Sequence, residues 1–151
     1  MSKTTSARAK TAGSPAPRPR RRTKAAADGG EARPSGLPGE LTLTARTAYE
    51  KKATDVVALD LRGAQAFTDF FFICTGQNAR QVKAIADAIE AALANEGHKA
   101  AHVEGYDRAN WILLDYFTFI VHVFAPEARE FYDIERLWGS AGRVEMPDPA
   151  V

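Results

Sequence analysis

The residues able to do chemistry are spread along the chain and form no recognisable catalytic or metal-binding motif. The three histidines, His98, His102 and His122, have a spacing that matches no zinc signature. His98 and His102 follow Gly97, which predicts a helix end, so we expect no shared helix face. The single cysteine, Cys74, lies in an apolar run and excludes a disulfide framework and a multi-cysteine metal site.

Carboxylates and one glycine-containing turn are the remaining candidates for metal or phosphate chemistry. Asp55, Asp60 and Asp69 flank apolar runs, where paired carboxylates could hold magnesium, but nothing in the sequence places two of them side by side. The turn over residues 75–77 precedes a predicted helix whose N-terminus could bind a phosphate, although one glycine is a weak signal. The sequence therefore predicts no catalytic residue, no metal site and no cofactor.

The elements that must position these residues follow from the spacing of apolar side chains. The first predicted helix has Thr42 or Thr44 as its N-cap. The second has Asn78 as its cap and carries an apolar stripe at spacings of three and four. A mixed β-sheet flanked by helices, and hence an α/β fold, is the architecture that this order of elements predicts. The predicted helices cover residues 41–53, 79–96 and 126–138, and the predicted strands cover residues 55–61, 69–75, 111–115 and 119–124.

The last two predicted strands should form a hairpin with one unusual face. Side chains alternate along a strand, so one face is wholly apolar and predicts core. The other face mixes an aromatic residue, a carboxylate and an imidazole, a composition typical of a partly exposed protein interface. A core face in which His122 pairs with Asp115 or a backbone group is the alternative. A two-residue turn over 116–117 would place Asp115 opposite Thr118, Leu113 opposite Ile120 and Trp111 opposite His122.

The net charge of +1 averages two unlike segments. Residues 1–40 contain 9 basic and 3 acidic residues, no aromatic residue and one branched aliphatic residue, Leu37. Such a segment buries too little apolar surface to offset the entropy of ordering, so we predict a disordered basic tail. The tail could contact nucleic-acid phosphates non-specifically or remain solvated. Residues 41–140 are predicted to form the domain, and residues 141–151 a C-terminal tail.

The start and the hydropathy of the chain bear on its location. No apolar run approaches the ~20 residues of a membrane span, and no secretory leader is recognisable. We therefore expect a cytoplasmic protein with no membrane contact. An organelle targeting peptide is a weaker alternative for the basic N-terminal segment, because its only apolar residues before Leu37 are alanines and Met1.

Six segments of the folded part resemble the ribosomal silencing factor family, also called the Iojap family. They occur in the family's order and spacing and span nearly all of the predicted domain, whereas residues 1–40 have no counterpart. A further departure is the pair Phe117 and Thr118, where relatives tend to have a glycine and an acidic residue. The segments are LDLRG (59–63), TDFFFICTG (68–76), RQVKAIAD (80–87), EGYDRANWILLDY (104–116), IVHVF (120–124) and REFYDIERLWG (129–139).

The resemblance implies a fold like that of nucleotidyltransferases without their catalytic residues. It also implies binding to the large ribosomal subunit through ribosomal protein L-fourteen. A protein at that site would block the small subunit sterically and repress translation under nutrient limitation. A divergent nucleotidyltransferase-like enzyme that uses Asp115 with a strand-end aspartate is the alternative function. The sequence leaves open whether the protein is a monomer or a homodimer away from the ribosome.

The resemblance also carries over a set of contact residues. Tyr132 and Trp138 are uncertain members, since their helical spacing suits core packing equally well. The acidic balance of residues 41–151 is favourable for a basic partner. The residues implied for partner binding are Glu104, Gly105, Trp111, Leu113, Asp115, His122 and Phe124.

Overall fold

The computed structural model describes residues 37–139 and 141–148 of the chain. The predicted basic tail, residues 1–40, lies outside these ranges apart from its last four residues. Within the described ranges the chain forms four helices and six strands. In chain order these are α1 (Gly39–Glu50), β1 (Thr54–Asp60), β2 (Phe70–Thr75), α2 (Ala79–Asn95), β3 (His102–Glu104), β4 (Trp111–Asp115), β5 (Phe119–Phe124), α3 (Pro126–Tyr132), α4 (Ile134–Leu137) and β6 (Gly142–Glu145).

The strands form one mixed sheet in the order β3-β4-β5-β2-β1-β6. Strand β2 runs parallel to β5 at the centre, and the other pairings of the described strands are antiparallel. Helices pack on both faces, which confirms the predicted α/β fold with a mixed sheet flanked by helices. The likeness to nucleotidyltransferases stays a prediction. None of the described helices is long and apolar enough to cross a bilayer.

Helix α2 packs against the sheet as its sequence predicted. The side chain of Asn78 accepts a hydrogen bond from the backbone N–H of Gln81 at 2.9 Å, which confirms Asn78 as the N-cap. Gly97 follows the helix with a left-handed φ of 89°, a conformation that glycine adopts without strain. The four residues of the predicted stripe are fully buried: Val82, Ile85, Ile89 and Leu93.

Helix α1 begins two residues earlier than predicted and is not capped by threonine. Its N-cap is Pro38, which makes no side-chain hydrogen bond. Thr44 lies inside the helix, where its hydroxyl donates to the carbonyl oxygen of Glu40 at 2.7 Å. A hydroxyl bonded to the preceding turn of the same helix cannot cap the N-terminus. The helix ends at Glu50, and Lys52, with a φ of 69°, turns the chain toward β1.

The helix predicted over residues 126–138 is in fact two helices. Asp133 adopts a left-handed conformation (φ 46°, ψ 51°), which ends α3 before α4 begins. Ala128 of α3 and Ile134 of α4 both pack into an apolar cluster on the face of the sheet opposite to α2. The other buried members of this cluster are Val57, Leu59, Leu61, Phe71, Ile73, Ile120 and Phe124.

Arg129 joins α3 to α4 and to two strands. Its guanidinium donates to both carboxylate oxygens of Glu135, at 2.9 and 3.0 Å. It also donates to the carbonyl oxygen of Asp55 at 2.6 Å and to the hydroxyl of Thr75 at 2.9 Å. The hydrogen bonds from Arg129 lower the pKa of Glu135 below its ordinary value, because they favour the charged carboxylate. This network fixes where α3 and α4 lie on the sheet.

Residues 142–145, predicted as part of a C-terminal tail, form the edge strand β6. It pairs antiparallel with β1, with Gly142 opposite Asp60 and Glu145 opposite Val57. The side chain of Arg143 donates to Glu135 of α4 at 2.7 Å and to Glu145 at 2.8 Å. The segment has one apolar residue and therefore no strand signal, because its pairing depends on backbone hydrogen bonds and ion pairs.

The β4–β5 hairpin has the predicted strands but a different register. Asp115 lies opposite Ile120 and Leu113 lies opposite His122, so the predicted pairing was wrong by two residues. The centre of the turn is at residues 117–118, where a hydrogen bond from Tyr116 N–H to the carbonyl of Phe119 closes it at 3.0 Å. A shift of two residues keeps every side chain on its predicted face, because side-chain direction has a period of two.

The turn holds a bulky residue in a backbone conformation that favours glycine. Phe117 has a φ of 70°, and its side chain is 72% exposed. Two hydrogen bonds fix the conformation: Phe117 N–H donates to the carboxylate of Asp115 at 2.8 Å, and the hydroxyl of Thr68 donates to the carbonyl of Phe117 at 2.7 Å. Neither bond involves the Phe117 side chain, so glycine would retain both.

Replacing Phe117 with glycine should therefore raise the free energy of unfolding by about 0.5–1 kcal/mol, measured by urea denaturation. The relief of left-handed strain exceeds the added entropy of the unfolded chain, and little apolar burial is lost. Phe67→Gly is the matched control, because Phe67 is equally exposed but has no positive φ. This control should be neutral or destabilising. A lower free energy of unfolding for Phe117→Gly than for the unaltered protein would contradict the assignment of strain at this position.

Candidate partner-binding surface

One side of the sheet is only partly covered by helices. Along β4 burial alternates: Ile112 and Leu114 are fully buried, whereas Trp111, Leu113 and Asp115 are half-buried. The buried pair faces α2, and the half-buried residues share the face on which α3 and α4 pack. Within the described ranges, this face is therefore closed over the sheet centre and partly open over β4.

The edge strand β3 extends the open area. Glu104 lies opposite Leu113 and His102 lies opposite Asp115, and directly opposed residues of an antiparallel pair point to the same face. Both β3 residues are exposed. The term docking surface is used below for six residues: Glu104, Trp111, Leu113, Asp115, Phe131 and Tyr132.

Aromatic rings form the continuous part of the docking surface. The indole of Trp111 stacks on Phe124 with ring centroids 4.9 Å apart, and Tyr132 of α3 lies 4.7 Å from it. The ring of Phe131 meets Tyr132 edge to face at 5.0 Å. Tyr132 is 46% exposed and Phe131 79% exposed. Exposed rings adjoining a half-buried tryptophan are typical of the centre of a protein interface.

Sequence reasoning missed Phe131 and left Tyr132 undecided. Both fit a helical stripe that could face the core, and the predicted single helix gave no reason to turn them outward. One signal was present: adjacent helical residues point about 100° apart, so two neighbouring aromatics rarely both face a core. The break at Asp133 ends α3 directly after this pair, and both side chains are exposed.

Two of the residues implied for partner binding lie beneath the docking surface. His122 is 3% exposed and Phe124 is 0% exposed, so neither can touch a partner in this structure. The alternation of β5 predicted the correct face, but α3 and the indole of Trp111 cover these two residues. Their assignment as contact residues was wrong: both rings pack against the indole of Trp111.

His122 interacts with Trp111 through a hydrogen bond. The indole Nε1–H of Trp111 donates to Nδ1 of His122 at 3.1 Å. The predicted partner of His122 was Asp115 or a backbone group, whereas the observed partner is the indole of Trp111. Burial lowers the pKa of His122 to about 3, because the charged imidazolium loses its hydration. The ring is therefore neutral at physiological pH.

Gly105 is exposed, and it also allows a close backbone approach. Its φ is 81°, and a Cβ atom here would overlap the carbonyl group of Trp111. Its own carbonyl accepts a hydrogen bond from the N–H of Ala109 at 2.9 Å, which closes the loop between β3 and β4. Only glycine fits this position without strain, so Gly105 sets where β4 and its tryptophan begin.

The turn predicted for phosphate binding and the carboxylate of Asp60 have other partners. At the N-terminus of α2, Asn78 accepts from the N–H of Gln81, and the Gln81 side chain accepts from the N–H of Gln77 at 2.6 Å. These donors are therefore not free for a phosphate. Asp60 pairs with Arg62 at 2.7 Å. Across residues 37–139 and 141–148, no three histidine, cysteine or carboxylate side chains lie close enough together to hold a metal ion.

Cys74 is a buried strand residue. Its side chain is fully enclosed in β2, and burial raises the pKa of its thiol to about 12. A thiol with such a pKa stays protonated at neutral pH and is a poor nucleophile and a poor metal ligand. The role of Cys74 is therefore packing.

The mixed sheet, its two helical layers and the partly open aromatic face define an α/β domain with a candidate protein-binding surface. Residues 34–151 match the family model described as ribosomal silencing factor during starvation. The chain belongs to this family, the ribosomal silencing factor or Iojap family. The sequence-based resemblance is thereby confirmed.

Individual relatives support the same assignment. The chain is 40% identical over 106 residues to the ribosomal silencing factor RsfS of Halalkalibacterium halodurans, covering 70% of this chain and 91% of the relative. The corresponding protein of Bacillus subtilis is 39% identical over 106 residues, covering 70% and 90%. A crystal structure of a Chromobacterium violaceum protein is 31% identical, with a TM-score of 0.65 and coverage of 75% and 91%.

Proposed function

We propose that this protein binds the large ribosomal subunit through ribosomal protein L-fourteen and blocks docking of the small subunit sterically. Translation is thereby repressed under nutrient limitation. The observation that carries the proposal is the half-buried indole of Trp111 at the centre of an exposed aromatic cluster, in a chain of the ribosomal silencing factor family. Such a side chain supplies a large contact area with little loss of conformational entropy on binding.

Charge supports a basic partner. Residues 41–151 contain 11 basic and 16 acidic residues, and the docking surface includes the carboxylates of Glu104 and Asp115. Ribosomal proteins that pack on RNA are basic, so opposite charges would accelerate encounter and disfavour a wrong orientation. At the rim of an interface such charges affect the association rate more than the affinity.

The proposed mechanism is steric and requires no catalysis. The described residues provide contacts and an excluded volume, and these suffice to keep two subunits apart. No observation on the described residues favours the alternative of a nucleotidyltransferase-like enzyme, so we do not propose it. We also propose that the protein is cytoplasmic and that its basic tail adds a non-specific RNA contact. A homodimer is the state that we propose for the protein away from the ribosome.

Sedimentation of ribosomes tests the proposed function. Joined ribosomes and separated subunits are incubated with the protein and resolved on a sucrose gradient. The expected result is a shift from joined ribosomes to free subunits, with the protein in the large-subunit fraction. Protein found with small subunits, or an unchanged gradient at saturating protein, would reject the proposal.

The variant Trp111→Ala tests the docking surface. We expect at least ~30-fold weaker binding to large subunits in co-sedimentation, the loss of about 2 kcal/mol typical of a central aromatic anchor. Tyr106→Ala is the matched control, because Tyr106 is also exposed but bonds to Asp87 of α2. The control should bind as the unaltered protein does. Equal binding by both folded variants would exclude this surface.

A further inference from the structure

We propose that His122 is a positioning residue that holds the indole of Trp111 in the orientation needed for docking. The inference rests on the proposed function and gives a role to a side chain that cannot itself touch a partner. It is carried by the hydrogen bond between the two rings and by the burial of His122 beneath the docking surface.

The hydrogen bond determines the state of the imidazole. An indole N–H can only donate, so Nδ1 of His122 must accept and must carry no proton. The neutral ring then carries its hydrogen on Nε2. Trp111 lies opposite Phe124, so its indole reaches His122 diagonally across the strand pair, with ring centroids 5.9 Å apart.

Stacking alone does not select one orientation of Trp111. The indole stacks on Phe124 with ring centroids 4.9 Å apart, and the ring of Tyr132 lies 4.7 Å away at a tilt of 47°. An indole turned by half a rotation about its last side-chain torsion would keep the same ring plane against Phe124. Its N–H would then point away from His122. The hydrogen bond is the contact that distinguishes the two orientations and fixes which edge of the indole is presented.

An imidazole at this position lowers the stability of the folded state relative to an apolar ring, so packing alone does not explain it. Among the described residues, its buried Nε2 has no hydrogen-bond partner. An unsatisfied buried donor destabilises the folded state, whereas an apolar ring of the same shape would not. The neighbours are aromatic, with Phe71 edge-on at 4.5 Å and Phe124 at 6.1 Å. A phenyl ring would suit this environment, but it could not accept the N–H of Trp111.

Two variants of His122 separate the hydrogen bond from the packing. His122→Phe keeps a ring and loses the acceptor. His122→Asn loses the ring but places its amide oxygen close to the position of Nδ1. Both are made with Trp138→Phe, so that Trp111 is the remaining tryptophan of the chain. The Trp138→Phe protein serves as the parent.

If His122 had only a structural role, the affinity for large subunits would follow the stability of each variant, and we expect the opposite. His122→Phe should melt at or above the temperature of the parent, yet bind large subunits about tenfold more weakly. The fluorescence of its Trp111 should show lower anisotropy and stronger quenching by acrylamide. His122→Asn should melt below the parent, yet keep the parent's affinity and the parent's tryptophan signature. Affinity would thus follow the acceptor and not the stability.

Two results would overturn the proposal. One is a His122→Phe variant that binds as tightly as the parent with unchanged anisotropy. The other is an affinity that follows the melting temperature across the variants, with His122→Asn the weakest. The fluorescence readout needs no ribosome, so it decides the positioning of Trp111 even if Trp111→Ala shows that the docking surface is wrongly assigned. His122→Phe alone suffices if the asparagine variant does not fold.

Discussion

Replacing Gly105 with alanine is expected to lower the free energy of unfolding by about 3 kcal/mol or more, measured by urea denaturation. Two costs add together at this position. The φ of 81° is unfavourable for any residue with a Cβ atom, at roughly 1–2 kcal/mol. The new methyl group would also overlap the carbonyl of Trp111, so the backbone of β4 must move. We therefore also expect Gly105→Ala to weaken binding to large subunits.

Gly97→Ala separates the two costs. Gly97 has a φ of 89°, but a Cβ atom there would meet no atom within 4 Å. This control should lose only the conformational cost, about 1 kcal/mol, and should retain binding. If the two alanine variants were equally stable, the close approach of Gly105 to Trp111 would not matter for the fold.

Acid should destabilise the protein through His122. Burial holds the pKa of this imidazole at about 3 in the folded state, whereas its ordinary value is 6.5. Between these values the unfolded chain binds a proton that the folded protein does not, so unfolding becomes easier as the pH falls. At pH 4.5 the contribution amounts to about 3 kcal/mol relative to pH 7. The measurement is the free energy of unfolding in urea at a series of pH values.

The variant His122→Phe isolates this contribution. It cannot take up a proton, so its stability should depend much less on pH between 6.5 and 4.5. The lowered pKa of Glu135 also favours unfolding in acid, but both proteins share that carboxylate. The difference between the two titrations therefore belongs to His122. Parallel titration curves would show that the imidazole becomes charged without unfolding, contrary to its burial.

Much of the fold could be predicted from the sequence because periodicity and local chemistry were strong. Helix α2 has an uninterrupted apolar stripe, a capping asparagine and a glycine at its end, and all three features are confirmed. Strands β4 and β5 have their predicted limits. These elements are specified by residues close together in the chain, so a sequence window contains most of the information needed.

The hairpin register and β6 could not be predicted because they depend on contacts that the alternation of apolar residues does not show. The turn is closed around Phe117 by the carboxylate of Asp115 and by Thr68, a residue of another loop. Strand β6 contains a single apolar residue and pairs with β1, more than 80 residues earlier in the chain. Neither contact leaves a periodic pattern in its own segment.

The face that carries the candidate site was predicted correctly, but the burial of its residues was not. Alternation along β4 and β5 correctly assigned side chains to one face, and the burial of Ile112 and Leu114 confirms it. Burial on the other face depends on where α3 stops covering the sheet, which no strand pattern reveals. For this reason the exposed position of Phe131 was missed and the burial of His122 was not foreseen.

The order of strands has a consequence for folding during synthesis. Strand β2 pairs with β1 on one side, but its other edge stays unpaired until β5, which ends at residue 124, has been made. Strand β1 keeps one bare edge until residue 145 has been added. An emerging chain therefore exposes unpaired edges of apolar strands, which are prone to intermolecular pairing. Truncation near the C-terminus should accordingly reduce soluble yield more than its few lost apolar contacts would suggest.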